Sequence, residues 1–239
     1  MLKVPETLKS EADALVTKLK NSLGNDLVSV TAYGRWLTVD NPERTADLNL
    51  MVIVNEITTE KLDCIADARR GTGEAQRWQL LTLSNEDLAG STDIFPIKYL
   101  NMQRRHCVLH GEDVLSTVEV ARTHLRFRCE QEIKNLMLRL RYFYLNRNQN
   151  QRAMRATLIR AHQSLMSSLA VLVELKTGKV PADRDEIITE IGKLDIDAAP
   201  LAESAKLEGD GVMELDVLKK LYEQTMALVR QAARVADQA

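Results

Sequence analysis

The sequence predicts an α+β protein in two parts: a mixed β-sheet with flanking helices, followed by a C-terminal all-α helical bundle. Two observations carry that prediction. Up to about residue 100, short runs of period 2 alternate with runs of helical period, and beyond about residue 102 only the helical period persists. The composition allows both parts a core, since 239 residues with 45% hydrophobic and 28% charged content suit one large or two modest globular domains.

The elements follow in order. "ETLKSEADALVTKLKNSLG" sets Leu8, Leu15, Leu19 and Leu23 at helical spacing, with Gly24 as its C-terminal stop. "DLVSVTAYG" reads as a strand in which Val28, Val30 and Ala32 face one way. "DLNLMVIV" alternates Leu48, Leu50, Val52 and Val54 and also has Met51 and Ile53 on its other face, the pattern of a central strand buried on both sides. "TTEKLDCIADARR" is a helix with a threonine cap, "RRGTGE" a turn, "RWQLLTLS" a third strand and "NEDLAGS" a short helical turn. "DIFPIKYL" is expected as a fourth extended run, which Pro96 makes an edge or bent strand. "MQRRHCVLHGED" is expected as a helix ending at Gly111, and it marks the boundary between a domain of residues 1–112 and one of residues 113–239.

In the second part, Leu125, Cys129, Ile133, Leu136, Leu140 and Phe143 form one helical stripe. Met154, Leu158, Leu165, Leu169, Leu172 and Leu175 form another, closed by Gly178 and Pro181. A shorter helix in "DEIITEIGKL" precedes a last one that carries Leu215, Leu218, Leu221 and Val229. Serial amphipathic helices without strand signals make a bundle.

The sequence also excludes several classes. No apolar run suits a signal peptide or a membrane span. Cys64, Cys107 and Cys129 are odd in number and far apart, which suits a reducing cytoplasm better than a disulfide framework. The net charge is -2, yet Arg122 to Arg160 holds ten basic residues against Glu130 and Glu132. Such local charge can attract phosphates, although a solvated helix face is its commoner explanation.

The stretch "VTAYGRWLTVDNPERTADLNLMVIV", residues 30–54, joins a strand, a glycine turn, a polar loop and a second strand carrying Asp47 and Asn49. This run resembles the core motif of the polymerase-β-like nucleotidyltransferases, in which a strand ends in Gly-Ser or Gly-Gly and a loop leads to a strand with Asp-x-Asp. The resemblance covers about residues 5–115, and "TDIFPIKYLNMQRRHCVLHGED" is similar to the continuation in a bacterial subgroup with helical C-terminal domains. It implies a nucleoside triphosphate ligand and magnesium.

The chemistry explains the pattern. Attack on the α-phosphorus builds negative charge on the leaving pyrophosphate, and two magnesium ions held by carboxylates neutralise it. Alternate strand residues share a face, so Asp-x-Asp sets two carboxylates side by side. Glycine lets the backbone approach the triphosphate.

Carried over by position, Gly34 matches the glycine and Arg35 stands where serine or glycine is expected. Asp47 matches the first carboxylate and is the one candidate metal ligand, whereas Asn49 replaces the second. The resemblance implies a third carboxylate on a later strand, with Asp93 or the position of Asn101 as candidates. An amide supplies no negative charge, so magnesium is expected to bind weakly, while Arg35 attracts phosphate directly. Arg122, Arg126 and Arg139 are further candidate phosphate contacts.

Other constellations are weaker. His106 and His110 are four apart but lack further zinc ligands of recognisable spacing. Trp36 and Trp78 suit a core or edge as well as a base-stacking platform. "RATLIRAH" sets Arg155 and His162 on one helix face and resembles the motif of HEPN-type RNases, though an ordinary amphipathic helix explains it too. The expected function is therefore a nucleotidyltransferase-like nucleotide binder with a degenerate metal site and weak or absent transfer. The alternatives are an interaction or oligomerisation module built on the bundle, an active transferase, or an RNase. Nucleotide is the expected partner, with a protein or a second copy at the bundle, and neither a membrane nor nucleic acid.

Overall fold

In a computed structural model, residues 2–38, 47–72, 77–208 and 213–238 are described. They form two compact units, Met1–Val120 and Ala121–Ala239. The sequence placed the boundary at residue 112, but Val114 and Leu115 are buried against sheet residues and keep the segment before Ala121 in the first unit.

The first unit contains α1 (Glu6–Leu23), β1 (Leu27–Tyr33), β2 (Leu48–Val54), α2 (Thr59–Arg70), β3 (Trp78–Ser84), α3 (Asn85–Gly90), α4 (Pro96–Arg104) and β4 (His106–Gly111). The sheet order is β3-β2-β1-β4. β1 runs antiparallel to β2 and β4, and β2 runs parallel to β3, so the sheet is mixed. Because successive strand residues point to opposite faces, β2 feeds two cores. Leu48, Leu50, Val52 and Val54 join α1 and α2 on one side, and Met51 and Ile53 join α3 and α4 on the other. Val30 and Ala32 share the first core, but Val28 packs against the second. A register shift between Leu27 and Ser29 breaks the alternation that the sequence suggested.

Two segments differ from their sequence reading. Residues 91–95 are bends and turns, and Pro96 opens helix α4 instead of bending a strand. Proline has no N–H to lose at the first helical position, where that donor has no intrahelical partner anyway. His106–Gly111 is strand β4, not a helix, because it supplies the second ladder that β1 needs. At its end Gly111 has φ +76°, and a Cβ there would meet the Val28 carbonyl oxygen at 1.9 Å.

The second unit is all helical among the described residues: α5 (Arg122–Arg147), α6 (Gln151–Thr177), α7 (Arg184–Gly192), α8 (Ala199–Ala205) and α9 (Leu215–Asp237). The short α8 was not visible as a separate period in the sequence. The α5 stripe from Leu125 to Leu140 and all six predicted α6 residues are buried. The Tyr222 hydroxyl of α9 donates to the Leu140 carbonyl at 2.8 Å, and Lys134 of α5 pairs with Asp237 at 2.7 Å. Gly178 ends α6 in the left-handed conformation that favours glycine. No described helix is long and apolar enough to cross a membrane.

Candidate functional site

β1 delivers the turn and β2 the polar pair. Tyr33 lies opposite Asn49, and Gly34 follows with φ +107°, a conformation that side chains resist. A Cβ on Gly34 would sit 3.4 Å from the Asn49 side-chain nitrogen, so the Asn49 amide faces the turn. The Gly34 N–H donates to the Arg105 carbonyl at 2.9 Å, which ties the turn to the start of β4. That amide is therefore engaged within the protein. Arg35 opens the 3-10 helix Arg35–Thr38, and its side chain lies outside what the structure describes.

Two tryptophans hold this corner from behind. Trp36 and Trp78 are buried and meet edge to face with ring centroids 5.9 Å apart, and Trp36 Nε1 donates to the Tyr33 carbonyl at 2.9 Å. Neither indole face is open to a base; both are core residues that fix the ends of β1 and β3.

β3 adds a residue that sequence reasoning missed. In its parallel ladder with β2, Gln79 lies directly opposite Asn49. Its Nε2 donates to the Asp47 carboxylate at 3.4 Å. Asp47, Asn49 and Gln79 thus meet on the sheet face shared by Met51, Ile53, Leu81 and Leu83. One carboxylate and two amides stand beside the Gly34 turn. The alternation of "WQLLTLS" could have found Gln79, since it shares parity with Leu81 and Leu83, but a search for carboxylates passes over an amide.

Asp93 and Asn101 are not on a strand. Asp93 is exposed in the turn between α3 and α4. Its neighbours Ser91 and Phe95 line a groove of about 570 Å³ with Leu81, Leu83, Glu86 and Lys98. That groove runs along Leu81 and Leu83, about 7–13 Å along the strand from the Asn49–Gln79 row. Asn101 is exposed on α4, one turn before Arg105, and so nearer the Gly34 corner.

The remaining candidates separate. On α5, Arg126 and Arg139 are thirteen residues apart, about 140° around the helix and 20 Å along it, so they do not address one ligand together. Arg126 pairs with Glu130 at 3.4 Å, and Arg122 donates to the Leu175 carbonyl. His106 and His110 are four apart on a strand, about 13 Å, too far to share a zinc ion. His106 instead bonds the Gln103 carbonyl at 2.8 Å and Asp113 at 3.1 Å. Arg155 donates to the Leu207 carbonyl at 2.7 Å and His162 is buried, so they offer no exposed pair for a ribose and a phosphate. Among the described residues, no group of three or more His, Cys, Asp or Glu is placed to hold a metal ion.

A solved structure has this architecture over nearly its whole length. Spectinomycin adenyltransferase AAD(9) from Enterococcus faecialis, determined with ATP and spectinomycin, superposes with a TM-score of 0.59 at 10% identity, covering 94% of this chain and 98% of its own. This chain has the nucleotidyltransferase fold. No family model matches the sequence, and no curated protein matches it. At 10% identity the likeness is one of fold. The nucleotidyltransferase-like α+β unit and the helical unit after it account for the architecture; the chemistry rests on this chain's own residues.

Proposed function

We propose that this protein binds a nucleotide or a phosphate-bearing ligand at the Gly34 corner and has weak or absent metal-dependent nucleotidyl transfer. The observation that carries the proposal is the register of β2 and β3, which sets Asn49 against Gln79 beside Asp47. Gln79, on the strand that pairs with β2, brings a second amide and no charge to this row. Magnesium does not fit this set. It gives up water reluctantly and needs ligand charge, and one exposed carboxylate with two amides supplies little.

The same atoms suit an anion. The Asn49 amide donates through two hydrogens, and Arg35 adds a guanidinium that pairs with oxyanions in a fork. Gly34 keeps the surface of the turn free of a side chain, so a triphosphate can approach the backbone. The adenyltransferase with this fold was solved with ATP, which makes a nucleoside triphosphate the first ligand to test.

Isothermal titration with ATP, GTP, CTP and UTP, with and without magnesium, tests the reading. The expected outcome is binding that changes little with magnesium and weakens about tenfold or more in Arg35→Ser, the worth of one charge-assisted contact. Pyrophosphate release is measured alongside for wild type and Asp47→Ala. Robust wild-type turnover that Asp47→Ala abolishes would overturn the proposal and make the protein a working nucleotidyltransferase.

A further inference from the structure

β3 closes one end of the sheet order β3-β2-β1-β4, so it pairs on one flank alone. Among the described residues, the backbone groups of Leu80, Leu81, Thr82 and Leu83 make no hydrogen bond outside the ladder with β2. Those that turn away from β2 form the open row of donors and acceptors that an edge strand presents. Proteins blunt such rows with lysine, proline, charge or a bulge. β4, the opposite edge, has a bulge, seen as the register shift between Val30 and Thr31. β3 has none of these devices. "WQLLTLS" holds no charge and no proline, and its register against β2 is unbroken from Trp78 to Ser84. Leu80, Leu81 and Leu83 are only half-buried, whereas Leu50, Val52 and Ile53 of β2 are wholly buried.

The groove of about 570 Å³ lies along this same edge. Leu81 and Leu83 share one sheet face and Thr82 alternates to the other, so a hollow that touches all three wraps the margin of the strand. Phe95 and Ile57 also line it, large apolar side chains left 45% and 36% exposed. An open backbone row beside an apolar groove suits an extended peptide, whose main chain pairs with the edge while alternate side chains fill the groove.

The charges of the lining narrow the occupant. Glu86 and Asp87 of α3 line the groove against one cation, Lys98. Glu86 makes no ion pair or hydrogen bond among the described residues, and Ser84 holds the Asp87 carboxyl below its ordinary value through its backbone N–H and its hydroxyl. We infer that β3 takes up an extended peptide of a partner protein as a fifth strand of the sheet, its alternate apolar side chains entering the groove and a basic side chain meeting Glu86 and Asp87. Neither β3 nor β4 holds a lysine or arginine, so an edge strand of a second copy does not supply that charge.

A nuclear magnetic resonance titration of the full chain, without nucleotide, tests this. The probe is a blocked heptapeptide of arginine, threonine, valine, threonine, valine, threonine and arginine, which sets its valines and arginines on one face. It is expected to bind with a dissociation constant below about 1 mM and to slow amide hydrogen exchange between Leu80 and Leu83. Of two versions N-methylated at alternate residues, one should lose binding, because only one set of peptide amides faces β3. Exchanging both arginines for glutamates, or Glu86→Lys in the protein, should weaken binding about tenfold or more, with an unchanged far-ultraviolet circular dichroism spectrum for the variant. No protection of Leu80 to Leu83 at about 2 mM peptide overturns the inference. So does equal binding by both N-methylated versions, since the backbone would then play no part. Protection that rises with protein concentration alone would put a second copy on the edge and overturn the partner peptide.

Discussion

Asn49→Asp combined with Gln79→Glu would put three carboxylates where the Gly34 corner now has one. Asp47 and residue 49 are two apart on a strand, so their carboxylates would stand about 7 Å from each other, with residue 79 about 5 Å across the ladder. At 7 Å, two unit charges repel by about 0.6 kcal/mol in water and about 2.4 kcal/mol at the effective dielectric of a protein surface. The double variant, without a divalent cation, should therefore lose about 2–4 kcal/mol in the first unit. Both tryptophans of the chain, Trp36 and Trp78, lie in that unit's core, so thermal unfolding followed by tryptophan fluorescence reports on it selectively. The midpoint is expected to fall by roughly 10–20 °C in EDTA. About 10 mM magnesium, bound with a dissociation constant near 1 mM, should return about 1.4 kcal/mol, or roughly 6 °C, while wild type barely responds. Equal magnesium shifts in wild type and double variant, or a double variant as stable as wild type in EDTA, would refute the claim that these positions form one row.

Two other perturbations test the frame around that row. Gly111→Ala places a Cβ against the Val28 carbonyl at a left-handed φ, so the end of β4 must leave β1 at a cost of about 3 kcal/mol or more; urea unfolding read by tryptophan fluorescence measures it, and a loss below about 1 kcal/mol would show that the strand end relaxes freely. Ser84→Ala acts on Asp87, whose carboxyl is held below its ordinary value by the Ser84 backbone N–H and then by the Ser84 hydroxyl. A depressed carboxylate contributes stability that is present above its unfolded pKa of about 3.9 and is lost as pH falls through the lower folded value. In Ser84→Ala, Asp87 should titrate closer to 3.9 by carboxyl NMR, because only the backbone donor remains, and an unchanged titration would show that the hydroxyl does not matter.

The sequence made some of this legible for physical reasons and hid the rest for physical reasons. β2 was readable because burial on both faces leaves an unbroken apolar run, and the pair Asp47 and Asn49 stood out against it. Gly24, Thr58 and Gly178 were readable because caps are local chemistry. Pro96 misled because proline suits a strand edge and a helix start alike, and what decides is Tyr99 and Met102 packing against Met51 and Ile53. β4 misled because a strand that follows a helix without a glycine or proline break carries the helix's apparent period onward, and its ladder with β1 is remote in sequence. Gln79 was hidden because its partner Asn49 is thirty positions away and because the chemistry sought was a charge. Local signals were legible; long-range register was not.

The place of β1 in the sheet has a consequence for synthesis. Its ladder to β2 joins segments separated by a short stretch, Tyr33 opposite Asn49, but its ladder to β4 joins Tyr33 to His106. Closing the longer loop costs about 1.4 kcal/mol more in chain entropy, so β4 is expected to be the last strand to dock. Translation at about 5–20 residues per second leaves roughly 4–16 s between the emergence of β1 and that of β4. Throughout that interval a nascent chain on the ribosome has one flank of β1 open, with Val30 and Ala32 beside it. That open flank is a template for a neighbouring nascent chain on the same message, and a ribosome pause before codon 106 would prolong the risk.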